Sequence, residues 1–450
     1  MKKILSIALV ALLVASTAFA GFSGKASLSL GYDTESESYG FSNGKQFSVD
    51  LDVASETAEA VGEGEIFAGV KATLSLKAAD RIGNKAEAFV KDGAAKVGLG
   101  FIFSLKEAYV AGQDWKVSIK GTQDGPDFAQ SAFETVPVDL GKDAFGNKLK
   151  AWWNIVYAPV SYAVPFHKAP GVTVTYKDWS VAVGFNGGKA DATTLAPDFF
   201  NYHVSAISPE VAVAEGISVK IGAVASGVKN ATDDAKHYDA SLNYDAFGAS
   251  AQVAYAAEAF SAKVAGDFGM KKTVGTDDFK AGFDVAANVA YAPVAVDVYF
   301  SRVDEVNYLS AMVSGAYEGI SGDIYAQDIL RAESEDITIV ADAEYTVDAV
   351  TVGAGFGMTT DSKIMQVSGN VEYAAEKFTA KAGGTYITQI DVKDSSYLWL
   401  NASVESSAII PGATISLGYG PNTDGATGKK TTNLLDEKYG SVTAQCVIAF

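Results

Sequence analysis

"DITIVADAEY", residues 336–345, alternates at every position but one. Ile337, Ile339, Ala341, Ala343 and Tyr345 are apolar, Asp336, Thr338, Asp342 and Glu344 are polar, and Val340 breaks the rule. A strand turns successive side chains to opposite faces, so this segment has one wet face and one dry face. The pattern is not local. "FKAGFDVAANVAY" (279–291) keeps Phe279, Ala281, Phe283, Val285, Ala287, Val289 and Tyr291 in phase. It recurs in "FSAKVAGDF" (260–268), "VAVDVYFS" (294–301), "ISGDIYAQ" (320–327) and "IMQVSGNVEY" (364–373). Near the front, "FSGKASLSLGY" (22–32), "EIFAGVKATLSLK" (65–77) and "KVGLGFIFSLK" (96–106) obey it too. A strand crossing a bilayer at a tilt needs ~9–11 residues, which these runs supply, whereas globular strands average ~5–6.

A second regularity sits on the first. Tyr255, Tyr291, Tyr317, Tyr345 and Tyr373 each close an alternating run and lie in its apolar phase. Short connections follow them: "AAEA", "AP", "EG", "TVDA" and "AAEK". The repeat unit is therefore a hairpin, with a tyrosine at the same edge each time. The opposite connections are longer and more charged, as in "GMKKTVGTDD" (269–278), "LRAESED" (330–336) and "PNTDGATGKKTTNLLDEK" (421–438). Short turns on one rim and long loops on the other are the pattern of an outer-membrane barrel, and the five tyrosines read as its aromatic girdle.

The expected fold is all-β, a closed antiparallel transmembrane β-barrel of roughly 20–22 strands, with ~16–24 as the bounds. Closure is demanded by lipid, which offers no partner to an open edge. A secreted soluble β-sandwich with a binding role is the competing fold, since it also alternates. Against it, the dry face is rich in Ala, Gly and Val, and the wet face carries charges in run after run. The in-out count fails at one place. "DAFG" (245–248) and "AAEA" (256–259) read as consecutive short connections, so one belongs on the long-loop rim or a strand is miscounted.

The first residues, "MKKILSIALVALLVASTAFA", have the layout of a cleaved signal peptide over 1–20: Lys2 and Lys3, an apolar run, then Ala18-Phe19-Ala20. A single barrel domain over 21–450 follows, placed in the cell outer membrane. The formal charge is −19, and losing Lys2 and Lys3 makes it −21; such acidity argues against nucleic acid, which needs a basic face. Cys446 is the one cysteine, so no internal disulfide forms. Enzyme chemistry finds no constellation: His167, His203 and His237 are scattered, and no Gly-x-Ser-x-Gly elbow occurs. "FNGGKAD" (185–191) reads as a hairpin tip, and neither a metal nor a cofactor is expected.

A ring with a polar lumen suggests passage of small solutes or ions. The best candidate for a loop folded into that lumen is 121–150, with Asp124, Asp127, Glu134, Asp139 and Asp143 against Lys142, Lys148 and Lys150. An ordinary external loop is the alternative. Net acidity predicts a mild preference for cations. A surface adhesin or structural coat protein on the same barrel, taking a host or matrix ligand, is the second functional reading.

The signal site, the tyrosine-closed hairpins and the closing "VTAQCVIAF" together resemble bacterial outer-membrane porins. In composition the chain also resembles the major outer-sheath or surface proteins of spirochaetes. The porin resemblance implies an outer-membrane lipid environment, assembly by the outer-membrane insertion machinery, and a homo-oligomer, although a barrel this large sits poorly with the usual trimer. It also implies that the dry phase Val442, Ala444, Cys446, Ile448 and Phe450 is the stretch that machinery reads.

Overall fold

The computed structural model describes residues 22–34, 37–41, 47–54, 64–79, 90–91, 94–95, 98–120, 125–131, 162, 164, 170–188, 199–229, 244–273, 278–330, 337–421, 433–437 and 439–449. Among these, all extended structure but one small hairpin belongs to a single antiparallel sheet. The expected signal peptide lies outside the described residues.

Each wall strand pairs with its sequence neighbours, so the chain runs up and down around the sheet. Two short strands, Ser38–Phe41 and Val211–Ala214, lie against Phe22–Asp33 and Ile217–Lys229 as continuations of their neighbours. They leave a 22-strand antiparallel wall. The wall closes because Phe22–Asp33 pairs with Ser441–Ala449, from Lys25 opposite Ala449 to Asp33 opposite Ser441. An even strand number and the absence of an edge are what a spanning sheet requires.

The connections show why the chain turns where it does. Lys177–Asp178 and Asp304–Glu305 carry positive φ at both residues (45° and 67°, 48° and 70°). Two consecutive left-handed residues give the tight hairpin turn whose twist matches the strands it joins. The first of these turns, with those at 215–216, 292–293, 318–319, 348–349 and 411–412, lies on the rim of the five tyrosines. Asp304–Glu305 is the exception, a two-residue turn on the rim of the long connections.

The count that failed in the sequence is settled by "DAFG". It is no turn: Tyr244–Ala256 is one continuous strand. Asp245 accepts the Tyr202 hydroxyl at 2.9 Å on the outward face, and Phe247 beside it is exposed. The turn-like composition answers side-chain contacts, not a reversal. "FNGG" is likewise strand, with Gly187 and Gly188 paired to Phe200 and Phe199; a hairpin tip at these two glycines is therefore ruled out.

The two phases face where the alternation puts them. Outward stand Val264 and Phe268, Val296 and Val298, Val352 and Phe356, Val367 and Val371, each more than a third exposed. Inward, Asp267, Asp284, Ser301, Ser310 and Thr385 are almost wholly buried. A continuous apolar exterior of this extent is not a water-facing surface; hydrocarbon covers such a surface at no cost.

Depth along one strand gives a graded expectation. In Ile364–Ala374 the outward Val367 lies six residues from Tyr373 at the rim, while Val371 lies two residues from it. Val367→Arg should cost ~2–4 kcal/mol of folding free energy in lipid vesicles, Val371→Arg less, and the inward Asn370→Arg close to nothing. Equal losses at the three sites in denaturant titrations would refute the inside-outside assignment.

Candidate functional site in the lumen

Part of the predicted inward loop lies inside the ring. Residues 125–131 lie against the inner wall, and the attachment is polar at one point and apolar around it. Asp267, on the inward phase of Phe260–Thr273 and 2% exposed, accepts the backbone N–H of Phe128 on both carboxylate oxygens (3.1 and 3.0 Å) and that of Ala129 at 2.7 Å. Amide bonds to a carboxylate are the stronger kind of hydrogen bond, and a buried charge needs them.

Around that point, Phe128 and Ala129 belong to one buried apolar cluster that continues from strand to strand through Ala265, Ala286, Tyr299, Met312, Tyr325 and Val340. These six wall residues come one each from six successive strands and form a belt of two register-matched rows, offset by two residues where Tyr299 pairs with Ser310 rather than Met312. Ala265 pairs with Ala286 and Ala286 with Tyr299; Met312 pairs with Tyr325 and Tyr325 with Val340. Val340, the exception in "DITIVADAEY", is fully buried in this belt. Below it, the Tyr299 hydroxyl donates to Asp284 at 2.6 Å. Asn288 donates to Asp297 at 2.7 Å.

Glycines bring the inserted residues close. A Cβ at Gly222 would collide with Pro126, one at Gly248 with Val164, and one at Gly282 with the Tyr162 ring. All three belong to the inward phase of their strands, so each leaves a hollow that an inserted side chain fills. Lys220 lies 4.8 Å over the Phe128 ring. On the wall itself, a Cβ at Gly184 would collide with the ring of the buried His203 on the paired strand.

Charge on the wall is divided. Near the rim of short turns, Asp323, Asp342 and Glu344 line a cavity of about 890 Å³ with Ser261, Ser314 and Ser321. Asp323 stands opposite Asp342 in the register, a like-charge pair. Across the ring, Lys71 and Lys116 flank Glu107 at 3.7 and 2.6 Å, and Lys116 lies 4.2 Å over Tyr109. A second cavity, about 390 Å³, lies beneath Gln130 and Ser131 and reaches Lys263 and Asp297.

Of the loop residues singled out by sequence, Asp127 is within the described residues; Asp124, Glu134, Asp139, Lys142, Asp143, Lys148 and Lys150 lie outside them. Tyr255, Tyr291, Tyr317, Tyr345 and Tyr373 are outward-facing at one rim, 40–65% exposed. The structure extends that row with Trp115, Tyr176 and Trp179, neighbours across three strands. Their signal was present in "YKDW" (176–179), an aromatic on each side of a two-residue turn. Val442 and Ala444 are exposed outward, with Cys446 and Ile448 in the same phase and Thr443 buried on the other; Phe450 lies outside the described residues. Asp267 and the three glycines had no distinguishing sequence signal, because an inward Asp and an inward Gly are what any wet strand face shows.

No protein-family model matches the chain, and no curated protein matches it. Solved structures do. The P pilus usher (PapC) translocation pore aligns over 95% of this chain and 99% of that one, with 10% identity and a TM-score of 0.40. The siderophore receptor PirA from Pseudomonas aeruginosa aligns over 96% and 80%, with 7% identity and a TM-score of 0.48. A mutant of the Rh. blastica porin aligns over 60% and 100%, with 11% identity and a TM-score of 0.32. These neighbours are outer-membrane β-barrel proteins, and the spirochaete resemblance has no support among them.

The surroundings of Asp127 predict that the hold on the inserted segment depends on pH. Although its side chain still meets water, lost hydration in the lumen raises its carboxyl above the usual carboxylate range, and the neighbouring Asp267 pushes the same way. A raised acid favours the seated state while protonated, so the hold is firmest below the ordinary carboxylate value and weakens as pH rises through the raised one. Conductance across a planar bilayer should be lower at about pH 4 than at about pH 7, with the difference flattened in Asp127→Asn. A pH response unchanged in that variant would exclude Asp127 as its source.

Proposed function

We infer that this protein is an outer-membrane channel for small hydrophilic solutes and ions, its lumen narrowed by the segment at 125–131. One observation carries the reading: the closed ring is apolar outside, polar inside, and partly filled by its own chain. A wall of 22 strands encloses more space than a simple aqueous pore uses, and barrels of that size hold material in the lumen.

The wall charges supply selectivity. A solute entering from the rim of short turns meets Asp323, Asp342 and Glu344 on one side and Lys71 and Lys116 on the other. Rings and patches of fixed charge at a constriction favour ions of opposite sign. Glu107 offsets part of the lysine charge, which tips the balance towards cations, as does the net charge of −19.

The same reading assigns Tyr255, Tyr291, Tyr317, Tyr345, Tyr373, Trp115, Tyr176 and Trp179 to the boundary between hydrocarbon and headgroups, where amphipathic rings settle. It also keeps Val442, Ala444, Cys446 and Ile448 as the outward phase presented to the insertion machinery.

Purified protein in a planar bilayer should give discrete conductance steps. In a salt gradient the reversal potential should carry the sign of cation preference, and the double variant Asp342→Asn with Glu344→Gln should move it towards anions. No conductance from correctly folded protein would end the channel reading; anion preference in the natural chain would end the selectivity reading alone.

A further inference from the structure

We propose that Asp267 is the latch of the lumen segment, and that Gly222, Gly248 and Gly282 are its mounting sockets, so that these four wall residues fix the width of the channel. The proposal rests on the channel reading and names the residues that position its constriction.

The argument starts from the wall without the segment. Asp267 and Asp284 are directly paired in the register, both inward and both nearly buried, at 2% and 1% exposure. Two carboxylates side by side in a sheet repel each other. Each therefore needs donors of its own. Asp284 receives one from Tyr299, another wall residue. Asp267 accepts from the backbone N–H groups of Phe128 and Ala129, which belong to the segment. The wall thus presents a carboxyl whose partners, two backbone amides and the side chain of Asp127, belong to a different part of the chain. Amides cannot be lost by side-chain rotation, and two consecutive ones fix both the position and the direction of the segment.

The sockets act on shape. Pro126, Val164 and Tyr162 each lie where the Cβ of a larger wall residue would be. Any side chain at Gly222, Gly248 or Gly282 lifts the inserted residues off the wall towards the axis, or expels them. Latch and sockets lie on neighbouring strands between Ile217 and Tyr291, on one arc of the ring. The described part of the segment is accordingly clamped to that arc.

Two readouts test this on the full-length protein. In a Cys446→Ser background, Ala129→Cys places a thiol where exposure is 3%. A charged maleimide should label it slowly, and adding Asp267→Ala should speed labelling by about tenfold or more, since buried charged hydrogen bonds are lost. Gly248→Val should speed it as well, while Ser368→Ala, an inward change on a distant strand, should not. In bilayers Asp267→Ala and Gly248→Val should raise the mean single-channel conductance and its fluctuation. Heat-modifiable gel mobility reports whether each variant still forms the barrel; if Asp267→Ala does not, Asp267→Asn, which keeps the volume and one acceptor, should show smaller changes of the same sign. Folded variants with unchanged labelling and unchanged conductance overturn the latch. A silent natural protein whose Ala129→Cys labelling still depends on Asp267 would overturn the channel reading and leave the latch standing.

Discussion

A sheet facing hydrocarbon cannot keep an edge, because every unpaired N–H and C=O there costs several kcal/mol, and the pairing of Lys25–Asp33 with Ser441–Ala449 is what removes the last one. Once the ring must close, every strand has two partners and the side chains have two destinations, out or in. The outward half then carries little information beyond being apolar, with aromatics where hydrocarbon ends. The inward half is left to make whatever chemistry the protein has.

Closure with 22 strands sets the next problem, since the enclosed space is wide. Part of it is filled from the chain between Trp115–Lys120 and Gly171–Tyr176. That solution changes the character of the inner wall. Where the segment docks, the wall behaves as a protein core, with Tyr299, Met312, Tyr325 and Val340 in the same buried cluster as Phe128. Nearer the rim of short turns it behaves as a wetted surface bearing acids and serines. One face of one sheet thus serves two solvents, and the boundary between them runs across strands.

The ring was legible in the sequence because period two is a covalent consequence of extended backbone. "FKAGFDVAANVAY" could hardly be misread, and the tyrosines closing each hairpin gave the sheet its edge. The errors came where one side chain answered a non-local contact. Asp245 and Gly248 made "DAFG" look like a turn, yet Asp245 takes the Tyr202 hydroxyl and Gly248 leaves room for Val164. The loop at 121–150 was identified by length and charge, but its attachment was not, because the donors are backbone amides. A backbone amide has no letter in the sequence.

The exceptions to alternation are therefore worth more than the rule. Val340 is a lapse when its strand is read alone. It is paired with Tyr325, which is paired with Met312, while Tyr299, Ala286 and Ala265 continue on the strands before. Six apolar residues on a wet phase, one per strand and in two register-matched rows of three, cannot be accidents of composition, because water would penalise each of them and the sheet gains nothing from their alignment. Alignment benefits a guest that lies across strands, and Phe128 with Ala129 joins the row at its first strand, where Asp267 holds them. In a barrel, the apolar residues that break the inward phase trace the footprint of what the lumen holds.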